Sequence, residues 1–153
     1  MLIKLEDDLR QATVDDAGTV CDLLIAARHD IPITIDPETQ RELLAAIIRE
    51  DCSKGNGWVG TVGGSVAAAM IVRPNDREIL YLVTGDKYRK QGFARKLIDR
   101  AKQVARSEKW DTLLAKADLK NDRVLSLLDA EGFIRTEIIQ EKHTWQYCVW
   151  RSE

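Results

Sequence analysis

The sequence predicts an α/β fold, one mixed sheet with helices on both faces. Three observations lead there. EILYLVT, Glu78 to Thr84, is an almost unbroken apolar and β-prone run of the kind that sits in the middle of a sheet. Directly after it, Phe93, Ala94, Leu97, Ile98, Ala101, Val104 and Ala105 repeat at helical spacing with charged residues between them. A hairpin pattern stands on each side of this strand-and-helix unit.

LRQATV, Leu9 to Val14, reads as a first strand. Asp15 and Asp16 then stand where a helix start favours carboxylates, and Ala17, Val20, Leu23, Leu24 and Ala27 make the apolar face of that helix. After the loop HDIPITIDP, Asp36-Pro37-Glu38 opens a second helix, with Asp as cap and Pro in the first position. Its apolar positions are Leu43, Leu44, Ile47 and Ile48, and CSKGNG ends it. WVGTV (Trp58 to Val62), the pair Gly63-Gly64, and SVAAAMIV (Ser65 to Val72) form a hairpin, since two strand-prone runs flank a two-residue glycine turn. RPND turns the chain into EILYLVT, which is expected to be buried on both faces. TLLAKA (Thr112 to Ala117) is another strand. Asn121-Asp122 caps a helix through Val124, Leu125, Leu127, Leu128 and Ala130, which Gly132 terminates. FIRTEII and TWQYCVW close the chain as a last hairpin. The order is β-α-α-β-β-β-α-β-α-β-β.

A length of 153 residues fits one domain, 1–153, with its own core. Apolar residues make up 44% and charged residues 31%, an ordinary globular balance. The net charge of -2 and the lack of a basic tail argue against nucleic acid as a partner. Cys21, Cys52 and Cys148 are scattered, and neither His29 nor His143 is near a cysteine. This excludes a disulfide framework and a zinc site, and suits a reducing cytoplasm. No run reaches membrane-spanning length, so the expectation is a soluble cytoplasmic protein with no membrane partner.

Five of the ten residues in KYRKQGFARK, Lys87 to Lys96, are Lys or Arg. A strand, a glycine loop and a helix in succession expose free backbone N–H groups at the helix start, and with the helix dipole these form an anion site. Gly92 lets the backbone approach a phosphate, and Ala94 stays small for the same reason. Arg89, Lys90 and Arg95 add charge. The other reading is a solvated run of charge. Positive side chains oppose the dipole at a helix start, however, and their crowding there makes better sense with an anion present.

Arg89-Lys90-Gln91-Gly92-Phe93-Ala94 resembles the pyrophosphate-binding motif of GNAT-type N-acetyltransferases, Arg/Gln-x-x-Gly-x-Gly/Ala. The resemblance extends over nearly the whole chain. EILYLVTGDKYRKQGFARKLI is similar to that family's strand-loop-helix core. NDRVLSLLDAEGF is similar to its second signature, in which an Asn, here Asn121, opens a helix ending in Gly-Phe. LRQATVDDAGTVCDLL is similar to its usual beginning. The resemblance implies a single-domain GNAT-like fold with about seven strands, mostly antiparallel and splayed between the fourth and fifth. It implies acetyl-CoA as co-substrate, lying in that gap. Backbone groups of Leu82, Val83 and Thr84 would pair with the pantetheine arm. The loop of Arg89, Lys90, Gln91, Gly92, Phe93, Ala94 and Arg95 would hold the pyrophosphate. A small-molecule or protein amine would attack the thioester directly, in a monomer or a homodimer.

The chain departs from that pattern in two places. Where many members carry a Tyr, seven residues after the Asn, stands Leu128; Ser126 is expected to face elsewhere on the helix. Where many carry a Glu on the fifth strand stands Lys116. Glu78, at the start of the fourth strand, matches a catalytic Glu of the histone-acetylating branch and is the candidate base. It can also be read as a solvent-facing carboxylate at a strand end. Tyr81, three residues on, is expected on the opposite face, as core or cleft wall. His29 and Asp30 lie in the loop that often lines the acceptor site in this family. His143 reads as an exposed turn residue, and Trp58, Trp110, Trp145, Tyr147 and Trp150 as core and sheet edge. Two alternatives to the enzyme remain. One is a catalytically inactive module that binds acyl-CoA in a regulatory role. The other is a basic-loop binding domain without coenzyme A.

Overall fold

The computed structural model describes residues 8–31, 33, 35–141 and 143–152. Residues 1–7, and Pro32 and Thr34 of the HDIPITIDP loop, lie outside the described residues. The strands are β1 (Asp8–Gln11), β2 (Gly57–Val62), β3 (Ser65–Arg73), β4 (Glu78–Thr84), β5 (Thr112–Asp118), β6 (Ile134–Gln140) and β7 (Thr144–Arg151). The helices are α1 (Ala17–Ala26), α2 (Arg41–Ser53), α3 (Phe93–Ser107) and α4 (Asp122–Ala130). The element order agrees with the reading from sequence.

One seven-stranded sheet runs β1-β2-β3-β4-β5-β7-β6. Its neighbours are antiparallel except for β4 and β5, which are parallel. On one face α3 and α4 press Phe93, Leu97, Ile98, Leu125 and Leu128 onto Met70, Leu113 and Cys148. On the other, α1 and α2 press Leu24, Leu44 and Ile48 onto Val59, Ile71, Tyr81 and Val83. The apolar periodicity of each helix decides which stripe is buried, and the sheet separates the two cores.

Three expectations need correction. The first strand stops at Gln11, and Val14 belongs to a 3-10 turn, Val14–Asp16, leading into α1. That turn forms because the Asp16 carboxylate accepts from the Thr13 N–H at 2.7 Å and from Arg10 at 2.8 and 3.0 Å. The second helix starts at Arg41 rather than at Asp36-Pro37-Glu38. Asp36 does cap, accepting from the Glu38 N–H at 3.1 Å, and its carbonyl accepts from the Gln40 N–H at 2.8 Å. This single turn ends at Gln40, whose φ of -125° departs from the helix, before α2 begins. Finally, β4 sends Ile79 into one core and Tyr81 and Val83 into the other, but it is less enclosed than expected. Ile79, Tyr81 and Val83 are buried, while Glu78, Leu80, Leu82 and Thr84 are partly open. The reason is that β4 borders a gap.

Candidate functional site

β4 and β5 pair at only two positions, Glu78 with Leu114 and Ile79 with Ala115. Beyond Ile79 they separate. Leu82, Val83 and Thr84 keep β3 on one edge and have no strand partner on the other. A bulge contributes to this. Pairing with β3 passes from Ile71–Tyr81 to Val72–Ile79 and leaves Leu80 as the extra residue. Bulges bend a strand and increase its twist, which carries β4 away from β5.

The gap opens into a cleft of about 620 Å³. Its walls include Leu82, Val83 and Thr84 from β4, Ala115, Lys116 and Ala117 from β5, Arg89, Lys90, Phe93 and Ala94 at the start of α3, and Asn121 and Leu128 around α4. Asp30 and Ile31 close it from the loop after α1. Of the residues singled out in the sequence, Gln91, Gly92 and Arg95 are exposed and lie outside the cleft wall, as does His29; the candidate base Glu78 is not on the wall either, although its neighbours Ile79 and Leu80 are. Tyr88, Arg123 and Ser126 line it and were not anticipated there. Tyr88 lies inside the basic stretch and Arg123 two residues after Asn121, so position alone was the available signal. Ser126, expected to face away, is on the wall because α4 offers Leu127 and Leu128 to the cleft as well, which is more than one face of the helix.

The loop between β4 and α3 is built by backbone torsion. Arg89 is extended, Lys90 has φ 66° and Gly92 has φ 83° before the helix starts at Phe93. The left-handed region costs a residue with a Cβ about 1–2 kcal/mol, so a glycine at position 92 is conformationally favoured. A methyl group there would meet nothing within 4 Å, so torsion, not crowding by protein, favours it. Phe93 anchors the loop from below. It is 1% exposed, and a Cβ at Gly60 in β2 would stand only 2.6 Å from its ring. Two of the basic side chains already have partners, Arg89 with Asp86 at 3.0 Å and Arg95 with Glu131 at 3.5 Å. Lys90 has no ion pair among the described residues.

Asn121 ties the cleft together at its far end. Its side-chain oxygen accepts from the Val124 N–H at 3.3 Å and caps α4. Its side-chain nitrogen donates to the Asp30 carbonyl at 3.3 Å. The helix cap and the loop after α1 therefore share one amide.

Glu78 sits at the last paired stretch before the gap. It is partly buried, and its Oε1 is buried without a hydrogen-bond partner. Burial pushes its carboxyl above the ordinary range, while the Lys116 ammonium pulls the other way. Tyr81 is not on the opposite face. Arg73 stands directly across from Glu78 and reaches Asp51 of α2 at 3.0 Å. Tyr81 packs with Leu44 and Ile48 on that same side, where Arg73 and Asp51 act on its hydroxyl. The bulge at Leu80 shifts the alternation by one residue. His143 is exposed, as expected, with Nδ1 3.9 Å from Asp118. Among the described residues no helix is long and apolar enough to cross a membrane, and no cluster could hold a metal ion. Cys21, Cys52 and Cys148 are free and buried.

Residues 22–133 match the sequence model of the acetyltransferase (GNAT) family. No curated protein sequence matches the chain. Many solved structures share the fold. Ard1 from Thermoplasma volcanium aligns with a TM-score of 0.78 at 15% identity, covering 95% of this chain and 97% of that one. The protein yncA from Salmonella typhimurium, solved with its cofactor acetyl-CoA, aligns with a TM-score of 0.74 at 17% identity, covering 95% and 94%. Ribosomal-protein-alanine N-acetyltransferase from Brucella melitensis aligns at 0.72 and 18% identity, covering 95% and 99%.

Proposed function

The chain belongs to the acetyltransferase (GNAT) family, whose co-substrate is acetyl-CoA, and on that premise we propose that residues 1–153 form one enzyme domain that moves an acetyl group to a primary amine by direct attack. The observation that carries this is the two-residue pairing of β4 with β5, which leaves the edge of Leu82, Val83 and Thr84 open to a cleft headed by a left-handed, basic loop. An open strand edge can bind the amide-rich pantetheine arm as a further strand would. The amides after Gly92, with Arg89 and Lys90, suit a pyrophosphate. Acetyl-CoA supplies the thioester, in which the acetyl carbon is already activated.

The chain's own residues then have defined tasks. Glu78 takes one proton from the bound ammonium to free the attacking amine; as the N–C bond forms and the C–S bond breaks, the second N–H proton passes through water to the leaving sulfur. A carboxyl raised by burial is a better base than an ordinary one. Asp30, fixed through its carbonyl by Asn121, contacts the acceptor, with His29 at the rim. Three free, buried thiols suit a cytoplasmic setting. One observation favours a second reading, a module that binds acyl-CoA without chemistry. Leu128 is 2% exposed and offers the cleft no hydroxyl.

Calorimetry with acetyl-CoA, followed by a screen of amines scored by thiol release, separates these readings. Binding with turnover is the expected result. Binding without turnover on any amine supports the inactive module, and no binding removes both.

A further inference from the structure

Lys116 is the first β5 residue beyond the last pair with β4, and its side chain lines the cleft. It stands on the same sheet face as Glu78. Glu78 pairs with Leu114, and Lys116 is two residues further along β5. Across the sheet Lys116 faces Tyr147, and its ammonium lies 5.7 Å from the Tyr147 ring and 5.6 Å from the Trp145 ring. Two aromatic faces steady a cation without neutralising it. Lys116 has no ion pair among the described residues. The nearest acid on its own strand face, Asp118, already accepts from the Lys120 N–H at 2.9 Å and faces His143. Glu78 feels the Lys116 charge, and its buried Oε1 has no hydrogen-bond partner among the described residues.

A held ammonium on the cleft wall and, on the same sheet face just inside the point where the two strands part, a carboxylate with an unpartnered buried oxygen thus stand near each other. The pair matches, charge for charge, a molecule that carries an ammonium and a carboxylate close together. We propose that the acceptor is a free amino acid, whose carboxylate pairs with Lys116 while its amine is presented to Glu78. This rests on the acetyltransferase reading above. A diamine or a polycation would bring its second positive charge against Lys116, which disfavours that class.

The test compares free amino acids with their carboxamides and with the corresponding decarboxylated amines. Turnover is scored by thiol release. Binding is measured by calorimetry into protein saturated with coenzyme A. The wild type is expected to favour amino acids over both neutralised series by about 10- to 100-fold in kcat/KM and in Kd, the usual scale of one charge-assisted contact. Lys116→Gln is expected to lose that preference, with KM for amino acids rising far more than KM for the carboxamides, and Lys116→Arg to retain it. A purely structural Lys116 would lower all series together. Equal or better use of the neutralised amines by the wild type, a preference that survives in Lys116→Gln, or no turnover of any amino acid overturns the assignment. Acetyl-CoA calorimetry on the same preparations shows whether the acetyltransferase reading falls with it. If acetyl-CoA binds and neutral amines turn over, only the acceptor class is wrong.

Discussion

Ile79 and Tyr81 stand two residues apart in β4, yet they enter opposite cores. Ile79 packs with Phe93, Leu97 and Leu113, and Tyr81 with Leu24, Leu44 and Ile48. Strict alternation would put both on one face. The bulge at Leu80 makes the difference. The same irregularity brings Glu78 round to the side of Tyr81 and Arg73, and it sits where β4 leaves β5. One extra residue therefore both helps to open the cleft and sets which sheet face each β4 side chain takes.

Gly60→Ala tests how the phosphate loop is held. The new methyl would lie 2.6 and 2.8 Å from two atoms of the Phe93 ring, which is fully enclosed and cannot swing away. Overpacking of this kind costs about 1–3 kcal/mol. Urea denaturation is expected to show that loss, and acetyl-CoA affinity to fall with it, because Phe93 is the first residue of α3. Unchanged affinity in the destabilised protein would mean that the loop does not depend on this anchor.

Gly92→Ala and Gly92→Glu divide torsion from charge. Both place a Cβ at φ 83° and are expected to lose about 1–2 kcal/mol of stability. Only the Glu variant adds a negative charge beside the proposed pyrophosphate site, so it should lose most acetyl-CoA binding in calorimetry. A folded Gly92→Glu protein that binds normally would remove the loop from the cofactor site.

Glu78→Gln keeps shape and removes basicity. The rate is expected to fall about 10²–10⁴-fold, with acetyl-CoA affinity nearly unchanged. Because burial raises the Glu78 carboxyl, its contribution to stability is full below the ordinary value of 4.5 and is lost as pH rises through the folded value. Glu78→Gln should therefore melt above the wild type at pH 7, and the difference should vanish near pH 4. Retained activity on the true acceptor would make Glu78 a strand-end carboxylate only.

Asp16→Ala addresses the start of α1. The Arg10 hydrogen bonds hold the Asp16 carboxyl below its ordinary value of 3.8, against the cost of burial. Its contribution is present above 3.8 and disappears as pH falls through the folded value. The variant is expected to lose about 0.5–2 kcal/mol at pH 7, the range for a helix cap, and progressively less than that in acid. A penalty equal at pH 7 and pH 2 would point to packing instead of charge.

Chelator and reductant together are expected to leave Tm within a degree or so, on the order of ordinary measurement scatter for a domain held by its core. The free, buried cysteines and the scattered histidines motivate this. A fall of many degrees would reveal a metal or a disulfide.

Much of this protein was legible in one dimension. The order of its elements, the exact span of β4, and the helix opened by Asn121 follow from local periodicity, glycine placement and capping chemistry, each set by residues close in sequence. The basic stretch around Gly92 could be read as an anion site for the same reason. What tertiary structure decided was relative placement. The bulge at Leu80 arises because β3 and β4 differ by one residue in register, and no local signal in EILYLVT announces it. The early turn at Asp36 looked like a helix start, because a capped turn and the first turn of a helix use the same residues; the break at Gln40 decides whether the helix continues. Lys116 looked like a gap in a pattern, and only the parting of β4 from β5 and the rings of Trp145 and Tyr147 make it a held charge on the cleft wall. Local sequence specifies torsions and hydrogen-bonding partners within a few residues. Which side chains meet across a sheet depends on register, and register is settled by the packing of both cores at once.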